Sequence, residues 1–494
     1  MTEHYEAVVV GSGAGGGVVA AGLADGGRSV LLIEAGPYRT AADYMRWEAR
    51  ANHELWWPPA LAEPADRAGP PLLMLRGRCV GGTTAINTKV ALRPAGHDYA
   101  KWHAATGLVN DGGQPFSELD LRPYLERVER RLGVRERGDW QRCVHTVVPG
   151  FRALGAELEP VMSYTDHNCM RCGSCLQGCP TNAGKNTLNT FIQPALAEGR
   201  LELRPDCEAR RILLRDRGAG PEAAGVEYTG PGGEPHAVEA DVVVVAAGAL
   251  ATPGLLIRSG LGELPAGRHI GAHLGFHPAR IVMGEFGEIQ DAHMVYPISA
   301  HCMQFARDED GGFIVEASTV QDPIGFATAL SDSRDVPLWG EPLTGALRRY
   351  RYFTGLLALV NDENNGTAAV GEDGQDRFTF GFSDQELERI GRALAFARDV
   401  LEASGAKRVL QTPVLSTHLQ GSCRMGSDPG RSAVTARAES HDVRRLFVAD
   451  GSVLPRTLSV NPSLTIMALA GRLADYLLTG DHGYFRQQAA SLVR

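Results

Sequence analysis

The stretch from the N-terminus through Glu34 constrains this chain most. Tyr5 to Val10 is a short apolar run, the mark of a strand buried in a parallel sheet. It enters Gly11-Ser12-Gly13-Ala14-Gly15-Gly16 directly. Val18 to Ala24 then reads as a helix, and Ser29 to Ile33 as a second strand ending in Glu34. In such a turn Gly11 permits the tight bend, Gly13 lets the backbone approach a pyrophosphate, and Gly16 lets helix and strand pack closely. Ala14 lies in the same turn, and the helix N-terminus favours phosphate charge. Glu34 follows at about 20 residues, where a carboxylate accepts from ribose hydroxyls. Strand, turn, helix, strand and acid together predict dinucleotide binding, without separating FAD from NAD.

At 494 residues the chain is too long for one simple core, so two or three packed domains are expected. With 44% hydrophobic and 22% charged residues it reads as an ordinary globular protein, and its 59 glycines hint at close backbone approach to a cofactor. Asp and Glu number 58 against 49 Lys and Arg, with no basic block, which argues against nucleic acid. The modest negative charge is mostly a solubility feature, with a cationic substrate the weaker reading. No run of apolar residues is long enough for a membrane span. The opening MTEHYEAVVVGSGAGG has no basic region or cleavage site, so the expected location is cytoplasmic. An odd nine cysteines fit reduced thiols or metal ligands better than a disulfide framework.

Three later blocks decide between cofactors: GRCVGGTTAINTKVALRP at 77–94, GALATPGLLIRSGLG at 248–262, and HLQGSCRMG from His418 followed by LFVADGSVLPRTLSVNPSLTIMALAGRLAD at 446–475. With the N-terminal cradle they resemble the glucose–methanol–choline (GMC) oxidoreductases, FAD-dependent alcohol oxidases and dehydrogenases, in that family's order over nearly the whole chain. The resemblance implies an α/β fold: a Rossmann-like FAD-binding domain with an interleaved α+β substrate domain on an antiparallel sheet. The expected division is FAD binding at 1–99, an insertion at 100–185, FAD binding at 186–275, a substrate cap at 276–415, and FAD binding with catalysis at 416–494.

Gly81 and Gly82 give a backbone that can lie against a flat ring, with Thr83 offering a hydroxyl. The resemblance implies that this segment lines the flavin with Asn87 near its ring, and that the backbone of Ala209, after the strand Leu201 to Arg204, reads adenine. Asp241 to Ala247 reads as a buried parallel strand. Asp450-Gly451 marks a strand end whose amides can reach cofactor oxygens, and a helix from about Ser463 to Leu478 points its N-terminus, preceded by Asn461 and Pro462, at the flavin edge. Alcohol oxidation needs a base for the hydroxyl proton, a hydride acceptor and a donor to the developing alkoxide. His418 matches the family's catalytic histidine and Asn461 its second position, so His418 is expected as base and Asn461 as donor, with hydride passing to flavin N5. His277, in HLGFHP, reads as structural. In the cap, Ser383 opens a capping box with Glu386, and Leu387, Ile390, Leu394, Ala397 and Leu401 follow at helical spacing. Trp56-Trp57 falls where the family places a loop over the active site.

Cys169, Cys172, Cys175 and Cys179 form the run C-x2-C-x2-C-x3-C-P. Three readings stand side by side: ligands of an iron–sulfur cluster that relays electrons, completed if need be by Cys143 or Cys207; zinc; or free or paired thiols. The expected activity is FAD-dependent oxidation of an alcohol to an aldehyde or ketone. The expected substrate is a small polyol, sugar or aminosugar such as an aminoglycoside intermediate, with O2 or an external carrier as electron acceptor. Steroid or long-chain alcohols are the alternative, and a non-redox FAD lyase of the same fold is another.

Overall fold

The structure is a computed structural model describing residues 3–65, 71–216, 218, 220–318, 320, 322–331, 338–480 and 483–485. The tail of the predicted 416–494 segment, residues 486–494, lies outside the described residues.

Among the described residues the strands form two sheets. In the first, parallel strands run in the order Leu201–Arg204, Val30–Ile33, His4–Val10 and Pro235–Val245. The predicted run Asp241 to Ala247 is the second half of that longer last strand. Its first half, Pro235 to Glu239, pairs antiparallel with Pro221–Thr229, and its second half, Val243 to Val245, takes Leu446–Val448 in parallel. The change of partner follows from composition: of PHAVE only Val238 is buried, whereas Val242 to Val245 are apolar throughout and buried on both faces. Ala209, after the strand Leu201–Arg204, lies near the start of the next strand, Glu208–Asp216. The helix Gly16–Asp25 packs against this sheet, and Ser463–Thr479 packs on that helix.

The second sheet has thirteen strands and gathers its members from far apart in the chain. Its centre is antiparallel, Ala279–Glu285, Phe353–Val360, Phe313–Ser318 and Ile298–Cys302, while Ala60–Pro64, Leu72–Met74 and Leu415–Ser416 extend it. The helix Asp384–Ala403 covers one face and starts at the Ser383–Glu386 capping box. Its buried stripe is Arg389, Ala393, Ala397, Val400 and Leu401: the predicted Ala397 and Leu401 belong to it, but the stripe is rotated so that Leu387 is exposed and Ile390 and Leu394 are only half-buried. Small residues let the helix sit close to the sheet, and the larger leucines flank the contact. The opposite face of the sheet, carrying Ile281, Glu316 and Leu357 in register, turns toward the first domain.

Candidate active site

A cleft of about 370 Å³ opens at the carboxyl ends of Val10, Ile33 and Ala246. Open α/β sheets bind ligands there, because strand ends and helix N-termini leave backbone amides free. Gly11 holds φ at +94°, and a Cβ on it would fall 2.3 Å from Ala246 O. A Cβ on Gly16 would fall 1.8 Å from Gly11 O. Gly13 differs: no atom of the chain lies within 4 Å of its Cβ position, and it borders the cleft. Gly82 crosses beside it, since a Cβ there would meet Gly13 Cα at 2.8 Å. Gly15 is the tightest of all, 1.5 Å from Ala449 O, and the spacing argument passed over it.

Ser12 was missed as well. It lies between the motif's glycines, where any residue fits the pattern, yet it joins three segments. Its N–H and Oγ donate to Glu34 Oε2 at 3.0 and 2.6 Å, its Oγ accepts from Gly81 N at 2.9 Å, and its carbonyl accepts from Thr187 Oγ1 at 2.9 Å. Among the described residues Glu34 Oε1 accepts only from Gly36 N and keeps a lone pair for a ribose hydroxyl. Burial pushes the Glu34 carboxyl up, against the pull of Ser12 and Gly36. Asp450 acts as a clamp: Oδ2 accepts from Gly248 N and Thr252 Oγ1, and Oδ1 from Ser452 N at 2.8 Å. Thr83, Ala14, Gly81's neighbour Gly82, Ala209, Gly451 and Pro462 all border the cleft.

At the other end stand His418 and Asn461, both lining the cleft. Buried Gln420 fixes their segments together: its Nε2 donates to His418 O at 3.1 Å, and its Oε1 accepts from Leu458 N at 3.2 Å. Asn87 donates to Tyr164 OH at 2.6 Å, and that hydroxyl lies 3.3 Å from Ser463 Oγ at the start of the last helix. His277 is fully buried with its Nδ1 3.1 Å from His418 Nδ1. Its backbone sits at φ +46°, in the left-handed region, with Asp362 accepting from both the Phe276 and His277 amides. A non-glycine residue there is held at a cost of ~1–3 kcal/mol, so the surroundings fix this histidine firmly. Two facing Nδ1 atoms share one proton. Burial holds His418 down at about 4, and holds His277 well below its ordinary value, with His418 and Lys101 adding to the effect. Both rings are therefore neutral at neutral pH.

The GMC oxidoreductase family models match residues 5–279 and 374–470. This chain is a GMC oxidoreductase. An uncharacterized GMC-type oxidoreductase of Mycobacterium tuberculosis is 32% identical over 95% of this chain and 75% of its own length. A long-chain-alcohol oxidase of Arabidopsis thaliana is 28% identical over 94% of this chain, which spans only 66% of that protein. The 6'''-hydroxyparomomycin C oxidase of Streptomyces lividus is 27% identical over 95% of this chain and 90% of its own length. In fold, the pyridoxine 4-oxidase of Mesorbium loti superposes with a TM-score of 0.73 over 97% of this chain and all of that one, at 19% identity. A formate oxidase of Aspergillus oryzae, studied for FAD modification, gives 0.71 over 97% and 99% at 14% identity.

GMC oxidoreductases bind FAD, and the cleft fits that group. The opening beside Gly13 admits a pyrophosphate, Glu34 keeps ribose-binding capacity, and Asn461 Oδ1 is buried without a partner at the far end. Among the described helices none is long and apolar enough to cross a membrane.

In this GMC oxidoreductase the cysteine run follows the strand Glu159–Ser163 and carries the short turn Ser174–Gln177, which packs on the cleft-lining turn Gly82–Ile86. Cys169, Cys172 and Cys179 stand close enough to Cys175 to act on it electrostatically. All nine cysteines are free in the structure. Among the described residues no three His, Cys, Asp or Glu converge on one point. Cys143 lies in the cap core and Cys207 in the FAD-domain core, so neither completes the set. Trp56 and Trp57 both border the cleft. The Trp56 indole N–H donates to Leu176 O at 3.2 Å, and Arg76 and Arg78 each lie 4.8 Å from the Trp57 ring. They form a rim over the cleft, and Trp56 also packs against the small core around Tyr44, Leu55 and Ile86.

Proposed function

We propose that this oxidoreductase oxidises a primary or secondary alcohol, with His418 as base and Asn461 as donor to the substrate oxygen. The observation that carries this is the pair at one end of the dinucleotide cleft, backed by His277. When bound, FAD supplies the hydride acceptor. With the shared proton on His418 Nδ1, donated to His277 Nδ1, His418 Nε2 presents a lone pair to the cleft. That lone pair takes the hydroxyl proton while the Asn461 amide N–H steadies the alkoxide. The low proton affinity of His418 keeps it ready as acceptor, and the negative charge forming beside it lets the imidazolium persist. His277 is thus the residue that selects the working tautomer.

For substrate we infer a polar, amine-bearing alcohol such as an aminoglycoside. The near full-length correspondence with an aminoglycoside oxidase supports it, and the acidic net charge agrees. Anaerobic mixing with 6'''-hydroxyparomomycin C should bleach the flavin. Bleaching by 1-dodecanol alone would move the reading to long-chain alcohols, and turnover with the flavin unbleached would defeat alcohol oxidation altogether.

The four-cysteine loop, in our reading, holds an iron–sulfur cluster through which electrons leave. A cluster takes its thiolates at separate irons, so it does not need them to meet at one point. Leu176, between Cys175 and Cys179, borders the cleft, which brings the loop to the cofactor's edge. Anaerobically purified protein should then contain iron and acid-labile sulfide; their absence would leave O2 or an external carrier to reoxidise the flavin directly.

A further inference from the structure

Behind Asn461, on the face of the cap sheet turned toward the first domain, lies a carboxyl the reaction has not used. Glu316, in the strand Phe313–Ser318, is 0% exposed. Neither of its oxygens has a hydrogen-bond partner, and Asn461 Oδ1 is also buried and unpartnered. The Asn461 amide stands against this carboxyl and is the only side chain among the described residues that acts on it, drawing its proton affinity down against the larger upward push of burial. The neighbouring strands offer no countercharge. His301 faces Glu316 across Ile298–Cys302, is buried with an unpartnered Nδ1, and is held neutral, down at about 4, by burial. Leu357 faces it from the other side, with Ile281 beyond.

Buried acceptors without a donor are costly, and a single proton satisfies this pair. We propose that Glu316 is the positioning residue of Asn461: as the neutral acid it donates O–H to Asn461 Oδ1 and so turns the amide Nδ2 toward the substrate oxygen. Ionised, Glu316 can only accept. It then draws Nδ2 to itself and leaves Oδ1 facing the cleft, where lone pairs oppose the alkoxide. Burial supports the neutral form, pushing this carboxyl up to about 8. The site therefore carries an alkaline switch, with the proton lost to solvent as Glu316 ionises.

This inference rests on Asn461 donating to the substrate, and the test separates the two. Infrared difference spectra of the FAD-loaded protein, wild type minus Glu316→Gln at pH 7, should show a protonated carboxyl band. No such band would overturn the proposal, whatever the substrate. Rates of anaerobic flavin reduction by 6'''-hydroxyparomomycin C should fall above pH 8 by up to roughly 10²-fold, the cost of one lost oxyanion donor. Glu316→Gln, which keeps an N–H for Asn461 Oδ1, should lose that limb, and Asn461→Ala should lose it too, at a uniformly low rate. An alkaline limb that survives in Glu316→Gln would exclude Glu316 as the switch while leaving His418 and Asn461 in their roles. Flavin reduction indifferent to His418→Ala would instead remove the reading beneath it.

Discussion

His418 and His277 show how little a residue's role depends on its own identity. Either ring could carry the shared proton. Only the arrangement with His277 as acceptor leaves His418 Nε2 free to act. His418→Ala should slow anaerobic flavin reduction by ~10²–10⁴-fold. His277→Asn supplies a carbonyl acceptor for His418 Nδ1–H and should retain far more rate than His277→Leu, which cannot accept; equal losses would mean His277 only fills space. Because the base must be neutral, kcat/KM should hold level from neutral pH down to about 5 and fall as His418 protonates near 4. His418 and Asn461 were legible in the sequence because they sit in long motifs. His277 was visible but read as structural. Its meaning comes from a contact with a residue far along the chain and from a backbone angle that no spacing rule reports. Glu316 gave no signal, since a buried polar residue in a β-run is recognisable only when its neighbours are known.

The glycine cradle divides into positions that serve the cofactor and positions that serve packing. A methyl on Gly13 meets no protein atom, so Gly13→Ala should leave the melting temperature of the flavin-free protein unchanged and reduce the FAD retained on purification. Gly15→Ala drives a methyl into Ala449 O and should lose about 3 kcal/mol or more with or without flavin, read by urea unfolding. The Ser383 cap, whose Oγ accepts from Glu386 N, should cost about 1 kcal/mol when changed to Ala, with activity untouched. Strand and helix identities in this first domain followed from local pattern. The forked strand Pro235–Val245 and the rotated face of Asp384–Ala403 did not, because both are set by partners distant in sequence.

Over the whole molecule, the buried histidines and Glu316 load the pH dependence of stability in opposite directions. His301 and His418 take up protons near 4 when folded but near 6.5 when unfolded. The unfolded state therefore binds more protons between those values, and stability falls as pH drops from 6.5 toward 4. Glu316 has its folded value raised to about 8 from 4.5, so its contribution weakens as pH rises through that interval. Glu316→Gln should accordingly gain in unfolding free energy relative to wild type at pH 8 compared with pH 5; a pH-independent difference would show that the carboxyl is not buried neutral.

The strand Leu446–Val448 and the Gly15–Ala449 contact have a consequence for synthesis. The sheet that begins at His4 receives this parallel neighbour only after more than four hundred further residues have been translated. Until then the floor of the nucleotide cradle lacks Asp450 and the last helix, and the N-terminal half waits on the ribosome with its apolar strand edge open. Flavin loading is therefore an event of the finished chain, and the stretch between Val10 and Ala449 must be kept from aggregating in the interval.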